Sequence, residues 1–155
     1  MQLRVIAVGS RMPAWVEQGC REYSKRLPRE LRLQWVEVPL GPRNKASSVE
    51  RAIATEDAAM LARIPADSRV IALDIPGCAW STEQLANELG DWKMDGRTVC
   101  LLIGGPDGLG QFCKDRADKS WSLSPLTLPH PLVRILLAEQ LYRAWSLGQG
   151  HPYHR

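Results

Sequence analysis

The chain has 155 residues, 45% hydrophobic and 24% charged, with a formal net charge of +3. That size and composition suit one globular domain able to bury a core without disulfide or metal staples, while +3 is too small to argue for nucleic acid by itself. No run approaches the length of a membrane span, and the apolar start is too short and too soon interrupted for a signal peptide, so the cytoplasm is the expected compartment.

Residues 2–9 alternate Leu3, Val5 and Ala7 with Arg4, Ile6 and Val8 and read as a buried strand. Pro13 then opens a helix to about Lys25, with Trp15, Val16, Cys20, Tyr23 and Leu27 on its apolar side. A second strand is expected over residues 31–39, from Leu33, Trp35 and Val38. The polar residues 41–48 read as a mobile loop, followed by a helix through Val49, Ile53, Ala58, Leu61 and Ile64. Residues 69–75 form a third strand, stopped by Pro76-Gly77. Ser81-Thr82-Glu83-Gln84 is a capping box: the serine hydroxyl accepts from an orphan amide while Gln84 reaches back. Its helix continues to about Met94 and ends at Asp95-Gly96.

Residues 98–103 are the next strand, and they run into a turn with four glycines and a proline, Gly104-Gly105-Pro106-Asp107-Gly108-Leu109-Gly110. Such a turn lets a ligand approach bare backbone, although it can also merely end a strand. A dinucleotide fingerprint starting at Gly108 would need glycine at Cys113, and a P-loop would need lysine where Gln111 stands, so neither motif fits. A short helix near residues 111–117 leads to a strand around residues 121–123 and a second proline-closed apolar stretch. Two strand-end loops of this kind can wall one small-molecule pocket, because open α/β sheets bind ligands beyond the carboxyl ends of their strands. Pro131 begins the longest helix, which continues to Trp145 and is apolar nearly all round. Burial on more than one side is expected, with a subunit interface as the covering surface. Strands alternate with helices throughout, which implies one α/β domain with a mainly parallel sheet.

Four scattered cysteines without a C-x-x-C pair read as reduced thiols, three of them filling core space. The three histidines, His130, His151 and His154, all lie in the last twenty-six residues. His151 and His154 lack a third ligand nearby, so no metal site is expected. The terminal HPYHR reads either as a frayed end or as a substrate-contacting tail, its Arg and His engaging phosphate and its Tyr stacking on a base. Glu139 and Arg143 have the spacing of a surface pair. Asp74, at a strand end, either touches a ligand or caps the Pro76-Gly77 turn. Arg21, Lys25, Arg26, Arg29 and Arg32, followed by Arg43, Lys45 and Arg51, read as a solvated face or as a stripe for phosphates.

Residues 101–110 (LLIGGPDGLG), residues 123–144 (LSPLTLPHPLVRILLAEQLYRA) and the terminal HPYHR closely resemble the SPOUT-class methyltransferases that modify a pseudouridine of large-subunit (23S) ribosomal RNA at N3. Val8-Gly9-Ser10 and the Leu73-Asp74-Ile75-Pro76-Gly77 turn match as well, so the resemblance covers essentially the whole chain. It implies a deep trefoil-knotted SPOUT domain over residues 1–155, in which the last helix threads a loop, and a homodimer with its site at the interface. It also implies S-adenosylmethionine as methyl donor, without metal, touching Leu73, Gly104, Leu123, Ser124, Pro125, Leu126, Thr127 and Leu128. For in-line transfer the N3 imide must lose its proton, so a base or a stabilising cation is required close by. The candidates are His130, Glu139, Tyr153 and His154, with Arg155 or Arg134 stabilising negative charge. The expected partner is large-subunit RNA in the assembled ribosome. Two alternatives remain at this level: a non-catalytic ribosome-binding factor, which would not bind S-adenosylmethionine, and a methyltransferase of the same class acting on another RNA such as transfer RNA.

Overall fold

A computed structural model describes residues 1–155. Its strands β1 (Leu3–Val8), β2 (Leu33–Val38), β3 (Ser68–Ala79), β4 (Thr98–Ile103) and β5 (Lys119–Ser122) form one sheet in the order β2-β1-β4-β3-β5. Every pairing is parallel. The helices are α1 (Ala14–Ser24), α2 (Val49–Leu61), α3 (Thr82–Asp95), α4 (Gln111–Arg116) and α5 (His130–Gly148).

The period-two alternation of the strands separates two cores. Leu3, Val5, Ala7, Val99 and Leu101 pack with Leu85, Leu89 and Trp92 of α3 and Leu137 and Leu141 of α5. Ile6, Val8, Cys100 and Leu102 pack on the other face with Met60 of α2 and Cys113 of α4. Helices on both faces explain why the central strands are nearly continuous apolar runs. Cys20, Cys100 and Cys113 are buried as expected, and Cys78 is exposed. The Ser81–Gln84 capping box is present, and Gly96 ends α3 in the left-handed region at φ 79°.

Several elements differ from their sequence readings. Pro76-Gly77 does not stop β3, which continues to Ala79 through a bulge: Leu73 and Cys78 both pair with Trp121. Pro76 falls in the unpaired part, where its missing N–H costs no ladder bond. The strand β5 starts earlier than expected and ends at Ser122, leaving Leu123 to the following loop. Trp15 of α1 is 53% exposed, and the buried edge is Val16 and Cys20. Val49 and Ala58 of α2 are exposed, whereas Ala52, Glu56, Asp57 and Met60 are buried. Residues 41–48, read as a mobile loop, are anchored: Gly41 donates its N–H to buried Glu56, and Asn44 and Ser47 form a small bridge. In α5, Arg134 and Ser146 are buried among the apolar residues, while Leu132 and Leu136 remain exposed in the single chain.

Candidate functional site

The carboxyl ends of β3, β4 and β5 open into a cavity of about 580 Å³. The β3 bulge supplies Leu73, Asp74 and Ile75, and the glycine turn supplies Gly104, Gly105, Pro106 and Gly108. The loop after β5 contributes Leu123, Ser124, Leu126, Thr127 and Leu128, and α5 closes the cavity with His130 and Val133. The turn is tight enough that a Cβ on Gly104 would lie 2.5 Å from the Gly108 carbonyl carbon, and Gly108 itself has φ +79°. Two short bonds shape the loop: Ser122 Oγ donates to the Ser124 carbonyl at 3.2 Å, and the Leu126 N–H donates to Ser124 Oγ at 2.9 Å. Leu126 is 72% exposed at the mouth. Seven of the eight residues that the resemblance ties to the methyl donor therefore line one cavity. Pro125 does not; it sits outward on the loop. Asp74 faces the cavity and pairs with Lys114 Nζ at 3.6 Å instead of capping the turn.

His130 is held on both ring nitrogens. Arg134 Nε donates to Nε2 at 2.8 Å, which places the ring proton on Nδ1, and Nδ1 lies 2.9 Å from the Gly104 carbonyl it donates to. Burial, and then the Arg134 charge, pushes the imidazole below its ordinary pKa. With its lone pair occupied, His130 is a neutral brace for the cavity wall and a poor proton acceptor. Arg134, expected to stabilise developing charge, is 4% exposed and committed elsewhere. It donates to Glu37 Oε2 at 2.6 Å and to the Gly9 carbonyl at 2.8 Å.

The remaining candidates form a separate cluster. Tyr153, in a 3-10 turn at Pro152–His154, donates its hydroxyl to Glu139 Oε1 at 3.1 Å. Arg143 Nε donates to the same oxygen at 2.9 Å and Gln140 Nε2 to Glu139 Oε2 at 2.7 Å, so Glu139 and Arg143 belong to a four-membered network and not to an isolated surface pair. Tyr142 meets the Tyr153 ring edge-on at 4.5 Å between centroids, and Arg26 lies over both rings. Burial raises the Tyr153 phenol above its usual value, with Glu139 adding to the shift. His154 Nδ1 is buried without a hydrogen-bond partner, and Arg155 is exposed. Glu139 follows His130 by nine residues on α5, a separation of about 13 Å at 1.5 Å per residue. One chain thus brings His130 to the cavity and leaves Glu139, Tyr153, His154 and Arg155 away from it. No group of three or more His, Cys, Asp or Glu is placed to hold a metal ion.

Sequence reasoning missed Glu37, Glu56 and Asp57. The last two had a readable signal, since they occupy positions between Ala52 and Met60 on the buried stripe of α2.

A family model described as "Predicted SPOUT methyltransferase" matches residues 1–154. Two curated relatives named "Ribosomal RNA large subunit methyltransferase H" align over the whole of both chains. The protein from Pseudomonas paraeruginosa is 59% identical over 155 residues, and that from Pseudomonas putida is 57% identical. Among solved structures, a probable methyltransferase from Bordetella pertussis Tohama I has a TM-score of 0.52 at 20% identity, covering 92% of this chain and 95% of that one. A probable methylase family protein from Haemophilus influenzae Rd KW20 has a TM-score of 0.57 at 12% identity, covering 99% and 70%. These two support the fold alone. With a family model across nearly its full length and full-length relatives at 57–59% identity, the chain belongs to the SPOUT methyltransferase family.

Proposed function

We propose that this protein is an S-adenosylmethionine-dependent methyltransferase that methylates N3 of a pseudouridine in 23S ribosomal RNA, acting in the cytoplasm on the assembled ribosome as a homodimer. The observation that carries the reading is the cavity walled by the glycine turn, the β3 bulge and the loop after β5, in a chain 59% identical to a large-subunit methyltransferase. Its volume lies in the range of small-molecule sites, and its lining of backbone and apolar side chains suits an adenine and a thioether sulfonium better than a phosphate. Leu73, Gly104, Leu123, Ser124, Leu126, Thr127 and Leu128 would hold the donor. When bound, it supplies an electrophilic methyl group for direct in-line transfer to N3.

The protein's part is to orient the base, exclude water and manage the N3 proton. His130 braces the Gly104 carbonyl and keeps the wall in shape. Because the tail of the same chain lies about 13 Å along α5, the tail of a second copy completes the site. Its Tyr153, held through Glu139, and its His154 and Arg155 face the nucleotide; the N3 proton passes to the His154 imidazole as the methyl bond forms, and Arg155 stabilises the imide anion electrostatically. The exposed Leu132 and Leu136 on α5 and Trp15 on α1 offer the second copy an apolar surface. The trefoil knot belongs to this reading as the connection that carries α5 past the cavity.

The test is to incubate the purified protein with radiolabelled S-adenosylmethionine and, separately, with ribosomes or free ribosomal RNA from cells lacking this gene. Label mapping by mass spectrometry to N3 of a large-subunit pseudouridine is expected, and more strongly on ribosomes than on free RNA. Ribosome binding without label would overturn the reading in favour of a non-catalytic factor, and label in transfer RNA would overturn its substrate.

A further inference from the structure

Two adjacent acids of α2 occupy core positions: Glu56 and Asp57 are each 2% exposed, and neither lines the cavity. Both engage the back of the glycine turn or the segment tied to it. Glu56 accepts the Gly41 N–H at 2.9 Å and two nitrogens of the Arg43 guanidinium at 2.7 and 3.0 Å. Arg43 Nε then donates to Asp107 Oδ2 at 2.9 Å. Asp57 accepts from the Gly110 and Cys113 amides at 2.9 and 3.1 Å, capping α4, whose own first cap is a glycine. The fit is close, since a Cβ on Gly105 would lie 2.9 Å from Val8 Cγ1 and 3.3 Å from Glu56 Oε1. The opposite side of the same turn is a wall of the cavity.

The turn is therefore gripped at three places. His130 holds its start at Gly104, Asp57 holds its end at Gly110, and Arg43 holds its tip at Asp107. The tip has the least support of its own. Glycine-rich backbone loses the most conformational freedom on ordering, and the tip's internal bond is the Gly108 N–H to the Gly105 carbonyl. We infer that Arg43 is a positioning residue for the methyl-donor cavity, tying Asp107 at the tip of the glycine turn to the buried Glu56 of α2. The inference rests on the reading of the cavity as the S-adenosylmethionine site. Arg43 acts without touching the donor, because a ligand's apparent affinity scales with the fraction of protein whose site is already formed. A partly exposed ion pair such as Arg43–Asp107 biases that fraction by up to about fivefold.

The test measures S-adenosylmethionine binding by calorimetry to the full-length parent, Asp107→Asn, Arg43→Lys and the double variant. Lysine keeps a charge for Glu56 but cannot reach Asp107 with a second arm, so the buried acid is not left unpaired. Each single substitution is expected to weaken binding measurably, by up to about fivefold, and the double variant by no more than the more affected single, because both remove one link. The cofactor-free melting temperature of Asp107→Asn should stay within about 2 °C of the parent, and the loss in turnover should fall on the KM for the donor. Parent-like affinity in Asp107→Asn, or effects of the two substitutions that multiply, would overturn the inference. A parent that binds no S-adenosylmethionine would overturn the reading of the cavity, and this inference with it.

Discussion

Replacing His130 by glutamine tests the brace at the cavity wall. In the folded protein its ring is held neutral, with a pKa below the ordinary value because of burial and the Arg134 charge. In the unfolded chain it protonates near pH 6.5. Below that pH the unfolded state binds a proton that the folded state does not, so stability falls as the pH falls from the unfolded pKa towards the folded one. The ceiling on this slope is about 1.4 kcal/mol per pH unit, and partial exposure of the ring trims it. Glutamine carries no titrating proton and spans only one of the two bonds His130 makes. At about pH 7.5 the parent should therefore be more stable by about 1.5–3 kcal/mol, the value of one hydrogen bond to the Arg134 guanidinium. By about pH 5.5 that advantage should have shrunk by up to about 1 kcal/mol. Urea titrations at fixed protein concentration, followed by the fluorescence of the six tryptophans, measure both values. A parent–variant difference that is constant across this pH range would refute the argument. The acid limb of the methylation rate should also survive in His130→Gln, whereas its disappearance would return His130 to the role of general base.

Deleting residues 151–155, or substituting Tyr153→Phe or His154→Ala, should lower methylation while S-adenosylmethionine binding survives, because the cavity is built without the tail. Full activity in the tail-deleted protein would sink that assignment. Gly104→Ala should abolish donor binding, since the added Cβ meets backbone at 2.5 Å; equilibrium dialysis is the check. Asp57→Ala should cost about 1–3 kcal/mol in urea unfolding, because the Gly110 and Cys113 amides lose their acceptor in a buried position. Neutralising Arg21, Lys25 and Arg29, all exposed, should weaken ribosome binding and flatten its salt dependence. An unchanged salt slope would identify them as an ordinary solvated face.

The α/β order, the parallel character of the sheet, the Ser81 capping box, the glycine turn and the family are all legible in the amino-acid sequence. All but the family, which motifs spread along the chain carry together, are local: a two-residue alternation, a cap spacing and a run of glycines report on their own few residues, and the chemistry of those residues needs no distant partner. Tertiary structure decided what depends on distant partners. Pro76 looked like a strand stop until β5 lay alongside and made the surrounding residues a bulge that shapes the cavity. Glu56 and Asp57 drew no attention in the sequence, and they matter only because α2 packs against the turn and meets donors from residues 41, 43, 110 and 113. His130 looked like a base until Arg134, one helical turn on, took its lone pair under the pull of burial. The candidate residues of the last helix and tail read as one constellation in sequence, yet the pitch of α5 sets His130 and Glu139 about 13 Å apart, because a straight helix converts nearness along the chain into a fixed distance in space.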